Sequence, residues 1–143
     1  MQRLVTRLIR SAALLAALTA GAGAQGACTV TFQSGPAAPY SWINDSLTEA
    51  SLHIECGAQE RPPALTVSLL RPGNAPRVLV MDSWTLRYGL FRDPGRQLSF
   101  SDPVVVRLDT QGTARIPLFI LIERGQLVPA GRYSAIETLT VEY

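Results

Sequence analysis

Apolar and polar residues alternate along most of the chain after residue 27, in short segments separated by residues that favour turns. The segments are rich in Val, Ile, Leu and Thr and have a two-residue period, and none keeps the 3.6-residue period of a helix. This pattern predicts an all-β fold. The predicted strands are residues 28–33, 50–56, 65–70, 77–81, 84–92, 104–108, 113–123 and 132–143.

Parity within a strand predicts which side chains face the core, because successive residues point to opposite faces. His53 is thereby predicted on the solvent face of its strand and Trp84 on the core face of another. The residues predicted to face the core are Ala50, Leu52, Ile54 and Cys56 in the second strand, and Trp84, Leu86, Tyr88 and Leu90 in the fifth.

The first 24 residues have the three parts of a signal peptide. Three arginines precede an apolar run at residues 11–20, and Ala22-Gly23-Ala24 forms a small-residue cleavage site before Gln25. The apolar run is about half the length of a membrane-spanning helix. We therefore predict export to the periplasm or beyond, a mature chain of residues 25–143, and no transmembrane anchor.

The charge of the mature chain differs from that of the whole. The full sequence has 13 basic and 11 acidic residues, and removal of residues 1–24 takes away three arginines and no acid. The remaining 10 basic and 11 acidic side chains give no reason to expect nucleic acid as a partner.

Length and strand count together indicate the architecture. About eight short strands in the 119 residues that follow residue 24 predict one domain, an immunoglobulin-like β-sandwich of two layers. A small β-barrel is the alternative.

Cys28 and Cys56 are the two cysteines of the chain. Export places them in an oxidising compartment, so we expect a disulfide between the first two strands of the mature domain. A zinc site is the weaker interpretation, because these two residues and His53 fall short of four ligands.

The last predicted strand alternates up to the final residue, with Leu139, Val141 and Tyr143 on its apolar face. An apolar strand of this kind has to be paired, or it presents an edge to which other chains add. The domain therefore either completes its sheet alone or receives a partner strand.

No arrangement of residues predicts catalysis. His53 lies within a predicted strand and no nucleophile motif accompanies it, so we expect no enzyme, no catalytic residue, no metal and no cofactor. Tyr40 and Trp42 follow a proline-rich turn and could stack on a ligand such as a sugar. Their role is left open here.

Two stretches, RVLVMDSWTLRYGLFRD at residues 77–93 and PAGRYSAIETLTVEY at residues 129–143, resemble a known family. They are similar to the spore coat protein U domain, the domain of the main subunits of archaic (Csu-type) chaperone–usher pili. Members carry Arg and Met ahead of a strand reading Leu-x-Tyr-x-Leu-Tyr-x-Asp, and a last strand that opens with Ala-Gly-x-Tyr and ends on an aromatic residue. The matching residues are Arg77, Met81, Leu86, Tyr88, Leu90, Phe91, Asp93, Ala130, Gly131, Tyr133 and Tyr143, with Cys28 and Cys56 at the family's cysteine places.

The resemblance implies an incomplete immunoglobulin-like fold that works as a structural subunit of a surface pilus or coat. Its partners would be a periplasmic chaperone, an usher and neighbouring subunits, with no small-molecule substrate, and its final location the cell surface. The groove for the complementing strand would be flanked by Leu139, Val141 and Tyr143. A self-contained secreted module that binds carbohydrate or protein is the alternative.

The sequence departs from the family in two places. Ala135 stands where members often have an aspartate. Cleavage after Ala24 leaves residues 25–27 before the first cysteine, which is too short for a donated strand. The sequence therefore predicts a chain that accepts a strand and does not give one.

Overall fold

The computed structural model of the full chain describes residues 3–10, 28–35, 40–57, 62–70 and 76–143. Within these ranges the chain is all-β and every paired strand is antiparallel. No membrane-spanning helix is found in the described part of the chain. The strands are β1 (Arg3–Arg10), β2 (Cys28–Ser34), β3 (Ser46–Cys56), β4 (Leu65–Leu70), β5 (Val78–Met81), β6 (Trp84–Arg87), β7 (Gly89–Phe91), β8 (Val104–Val106), β9 (Thr113–Ile122) and β10 (Ala135–Glu142).

These strands form two four-stranded sheets and a hairpin. The first sheet has the order β1-β10-β4-β8 and the second the order β2-β3-β9-β7, while β5 and β6 pair with each other. Apolar residues from both sheets form one buried cluster, as expected for the two layers of a β-sandwich. The most deeply buried side chains of this cluster are Phe100, Leu52, Ile54, Leu65, Leu139, Val67, Val141 and Cys28.

The two-residue period explains which side of β3 is buried. Leu52, Ile54 and Cys56 are at most 3% exposed, whereas His53, between them, lies on the other face. The all-β prediction is confirmed, and each of the eight predicted segments overlaps an observed strand, although β3 begins four residues earlier than predicted, at Ser46.

The predicted disulfide is present. Cys28 and Cys56 are directly opposite each other in the β2–β3 pair, and their sulfur atoms are bonded. Both cysteines are buried in the core cluster. The bond therefore fastens the edge strand β2 to its neighbour within the second sheet.

The segment at 84–92, predicted as one strand, is two. β6 pairs with β5, β7 pairs with β9, and the chain changes partner at Tyr88, whose N–H donates to the Arg77 carbonyl oxygen at 3.1 Å. The prediction that Trp84 faces the core is wrong, since this residue is 47% exposed. It lies at the tip of a two-stranded hairpin that has no layer over it there.

The β5–β6 hairpin packs against the start of β10. The backbones of Val80 and Ser134 exchange two hydrogen bonds, at 2.7 and 3.1 Å. Tyr133 packs with Leu79 and Leu86 in a second small buried cluster. The stretches at residues 77–93 and 129–143 are therefore in contact with each other.

The Met81 side chain packs directly on Gly131. A Cβ on Gly131 would overlap the sulfur of Met81, so a substitution there requires the flexible methionine side chain to move.

Candidate functional site

The two edges of β10 have different partners. One edge pairs with β4 through residues 138–142, and the other pairs with β1 over eight residues, from Arg3 opposite Glu142 to Arg10 opposite Ala135. β1 belongs to the segment that the sequence predicts to be a signal peptide. The rest of that segment, residues 11–24, and the start of the mature chain at 25–27 lie outside the described residues.

The residues predicted to flank a strand-accepting groove lie along β10 and just after it. Leu139 and Val141 are 0% and 1% exposed, so their side chains belong to the core of the full chain. Tyr143 is half-buried and packs against the same cluster. In the register of the sheet, Thr6 is opposite Leu139 and Leu4 is opposite Val141.

A buried polar network interrupts the apolar face of β10. Glu137 lies on the same face as Leu139, and its Oε1 accepts hydrogen bonds from Nη1 of Arg77 and from the hydroxyl of Tyr88. The Arg77 side chain is only 4% exposed and also donates to the Phe100 carbonyl oxygen at 3.5 Å. The buried guanidinium is thus paired with a carboxylate, which it requires in an apolar interior.

Tyr88 is a donor in this network and is expected to stay one. Burial raises the pKa of its hydroxyl well above the ordinary value of 10, and the hydrogen bond to the Glu137 carboxylate raises it further. The phenol therefore remains protonated over the whole physiological range.

A cavity of about 60 Å³ lies between the two sheets beside Glu137. Its walls are almost entirely apolar, and it reaches β10 at Ala135 and Glu137. The other lining residues are Phe32, Leu52, Leu69, Leu79, Tyr88, Leu90, Phe100, Leu118 and Ile120. The core is therefore less tightly filled at the start of β10 than around Leu139 and Val141.

Sequence reasoning missed the pair of Arg77 and Glu137. The signal for it was present, since Glu137 is the one charged residue on the otherwise apolar face of the last predicted strand. What the sequence could not supply was the partner, because Arg77 is 60 positions away and reaches Glu137 only through the docking of the hairpin.

The two aromatic residues considered for ligand stacking have different surroundings. The Tyr40 hydroxyl donates to the Gln126 carbonyl oxygen at 2.6 Å and accepts from the Gln126 N–H at 2.9 Å, so it holds two loops together. Trp42 is 63% exposed, and its carbonyl oxygen accepts from the Gly125 N–H. Only Trp42 of this pair presents its ring to solvent.

Comparison of the sequence with protein-family models and with curated proteins found no match.

Proposed function

We propose that this chain is a non-catalytic structural subunit of a surface pilus or coat, and that β10 accepts a complementing strand from a chaperone or a neighbouring subunit. One observation carries the proposal: within the described residues, the outer edge of β10 is paired by β1, and β1 lies inside the predicted signal peptide. Processing after Ala24 would remove this partner.

Loss of β1 would leave β10 as an apolar strand with an open edge. Eight residue pairs would be lost, and the backbone N–H and C=O groups along that edge would need new partners. A strand supplied by another chain would restore these hydrogen bonds, which is the mode of recognition called β-strand addition.

The detailed fold that we propose is immunoglobulin-like. Tyr133 is two residues ahead of β10, and its hydroxyl donates to the Pro129 carbonyl oxygen at 2.8 Å. This bond, from a tyrosine ahead of a late strand to a backbone carbonyl a few residues upstream, resembles the tyrosine corner of immunoglobulin-like sandwiches and supports the proposal. The disulfide differs from that of antibody domains, since it joins neighbours in one sheet.

The incoming strand can be described from the register of β10. Residues directly opposite in an antiparallel pair share a face, so the positions opposite Leu139 and Val141 face the core and favour apolar side chains. The resemblance to the spore coat protein U domain supports a periplasmic chaperone as the first donor and a neighbouring subunit as the second.

The proposal is tested by producing the chain with its own leader in an oxidising bacterial periplasm, with and without the pilus chaperone from the same source. Size-exclusion chromatography with light scattering gives the composition of the processed product. Recovery as a one-to-one complex with the chaperone, and insolubility without it, supports the proposal. A stable processed monomer that ignores the chaperone overturns it.

A second candidate function rests on Trp42. An indole ring that is 63% exposed beside Ile43, itself 59% exposed, favours a secreted module that binds carbohydrate or protein through this loop. If this loop binds a glycan, a glycan identified on an array should change the Trp fluorescence of the chain. The variant Trp42→Ala should abolish both the binding and this change. Trp84→Ala is the matched control, because Trp84 is also exposed but lies in the hairpin.

A further inference from the structure

An open cleft of about 430 Å³ lies on the outer side of the second sheet, at the start of β9. His53 and Arg115 are directly opposite residues of β3 and β9, so their side chains share the face that points away from the core. The cleft is lined by His53, Arg107, Leu108, Asp109, Thr113 and Arg115, with Ala114 between the last two.

Two arginines in the cleft have no ion-pair partner among the described residues. Arg107 and Arg115 are both exposed, and no carboxylate of the described residues lies within ion-pair distance of either guanidinium. Guanidinium groups bind oxyanions through charge-assisted, often bidentate hydrogen bonds. The cleft therefore offers two strong donors that the fold itself does not use.

The carboxylate in the cleft is already engaged. Asp109 accepts hydrogen bonds from the N–H of Gln111 and of Thr113, at 2.9 and 2.8 Å, and from the Thr113 hydroxyl at 2.6 Å. These bonds, led by that of the hydroxyl, lower the pKa of Asp109 and fix it as the cap of the turn before β9. It shapes the rim of the cleft and leaves the arginines free for a ligand.

His53 adds an independent observation. Its Nε2 is buried and has no hydrogen-bond partner among the described residues. Buried polar atoms are nearly always satisfied, and an exception calls for a missing water, ion or ligand. The side chain that carries this nitrogen is one of those that line the cleft with Arg107 and Arg115.

We propose that this cleft binds an oxyanion group of an acidic polysaccharide, a sulfate, phosphate or carboxylate held by Arg107 and Arg115 with His53 beneath them. The site is on the second sheet, whereas β10 is in the first, so strand addition at β10 leaves the cleft open. The choice of a polysaccharide as the bearer of the oxyanion rests on the proposed function, since a surface subunit meets such polymers.

The test is isothermal titration of the full chain, with β1 in place, against a heparin-derived sulfated octasaccharide at about 0.15 M ionic strength. The variant Arg107→Gln/Arg115→Gln removes the cleft cations. The control Arg87→Gln/Arg132→Gln removes the same charge from exposed arginines elsewhere. We expect the cleft variant to lose affinity at least about tenfold and the control less than about twofold, because each guanidinium makes charge-assisted bonds.

Three further results decide the outcome. The His53 ring signals in NMR spectra should shift on addition of the octasaccharide, and inorganic phosphate should compete with it. Equal losses in both variants would show charge attraction without a site, and overturn the proposal. Absence of wild-type binding, or binding of phosphate alone, would overturn it as well. Because β1 stays in place, these failures are independent of whether β10 accepts a strand.

Discussion

Arg77 and Glu137 form an ion pair across the interior of the molecule, between the residue that precedes β5 and the middle of β10. The guanidinium is almost fully buried, and the carboxylate is 20% exposed. Since a buried pair repays its desolvation only while both partners are present, the two residues depend on each other. The pair connects the segment that leads into the hairpin with β10.

Replacement of Glu137 by Ala should be strongly destabilising. It leaves Arg77 buried without a counter-charge and removes the acceptor of the Tyr88 hydroxyl, so we expect a loss of about 3–5 kcal/mol in the free energy of unfolding. Urea denaturation measures it. The double variant Arg77→Met/Glu137→Leu should cost much less, because it removes both charges at similar volume. A double variant as unstable as Glu137→Ala would contradict the account.

A carboxylate at position 135 should replace that of Glu137 as the partner of Arg77. Ala135 and Glu137 share a face of β10 and line the same cavity, so a carboxylate at position 135 would point toward the same part of the interior. Ala135→Asp should therefore restore at least half of the stability lost in Glu137→Ala. Ala135→Asn in the same background keeps the size and lacks the charge. If both restore stability equally, pairing with Arg77 is not the cause.

Stability should fall at alkaline pH through Tyr88. Its pKa in the folded chain is raised above the value of about 10 in the unfolded chain, so the unfolded state loses the proton first. The stabilisation is complete below pH 10 and is lost progressively as the pH rises above 10. Urea midpoints of Tyr88→Phe should fall less steeply above pH 10 than those of the wild type. Some fall remains, because burial also raises the pKa of Tyr133. Identical slopes would contradict the prediction.

Removal of the disulfide should destabilise the second sheet. The bond closes a loop of 28 residues, for which the loss of chain entropy in the unfolded state corresponds to about 3.5 kcal/mol. Cys28→Ala/Cys56→Ala should show this loss in thermal and urea denaturation. Reduced wild-type protein is the matched control and should unfold at the same midpoint as the variant. A variant as stable as the oxidised protein would show that pairing of β2 with β3 needs no cross-link.

Short-range pattern was sufficient to predict most strands. In β3 the alternation of the buried Leu52 and Ile54 with polar neighbours indicates both the strand and its orientation. The cysteine pair was predictable for a related reason, because two thiols in a chain with a predicted signal peptide leave few alternatives. Each of these features depends on residues close in sequence or on chemistry that needs no coordinates.

The failures have a common physical origin in tertiary packing. The break at Tyr88 preserves the two-residue period, so no pattern distinguishes one strand from two that belong to different sheets. Trp84 has the parity of a core residue but lies where no second layer covers the hairpin. The strand at Arg3–Arg10 was not expected, because basic and apolar residues at the start of a chain are typical of a leader.

If β10 accepts a strand once β1 is removed, then β1 added as a separate peptide should bind to the processed chain. Residues 25–143, recovered from their chaperone complex or refolded with the disulfide intact, would be mixed with the peptide RLVTRLIR, which is the sequence of β1. The control peptide carries Thr6→Pro and cannot complete the ladder.

Amide hydrogen exchange is measured for those residues of 135–142 whose N–H groups point toward β1, because the alternate amides of residues 138–142 point toward β4 and stay paired. For the amides on the β1 side we expect fast exchange in the processed chain, protection on one-to-one binding of the peptide, and no protection by the proline control. Slow exchange of these amides in the processed chain alone, unchanged by the peptide, would show that the domain completes its own sheet and would contradict the proposal that β10 accepts a strand.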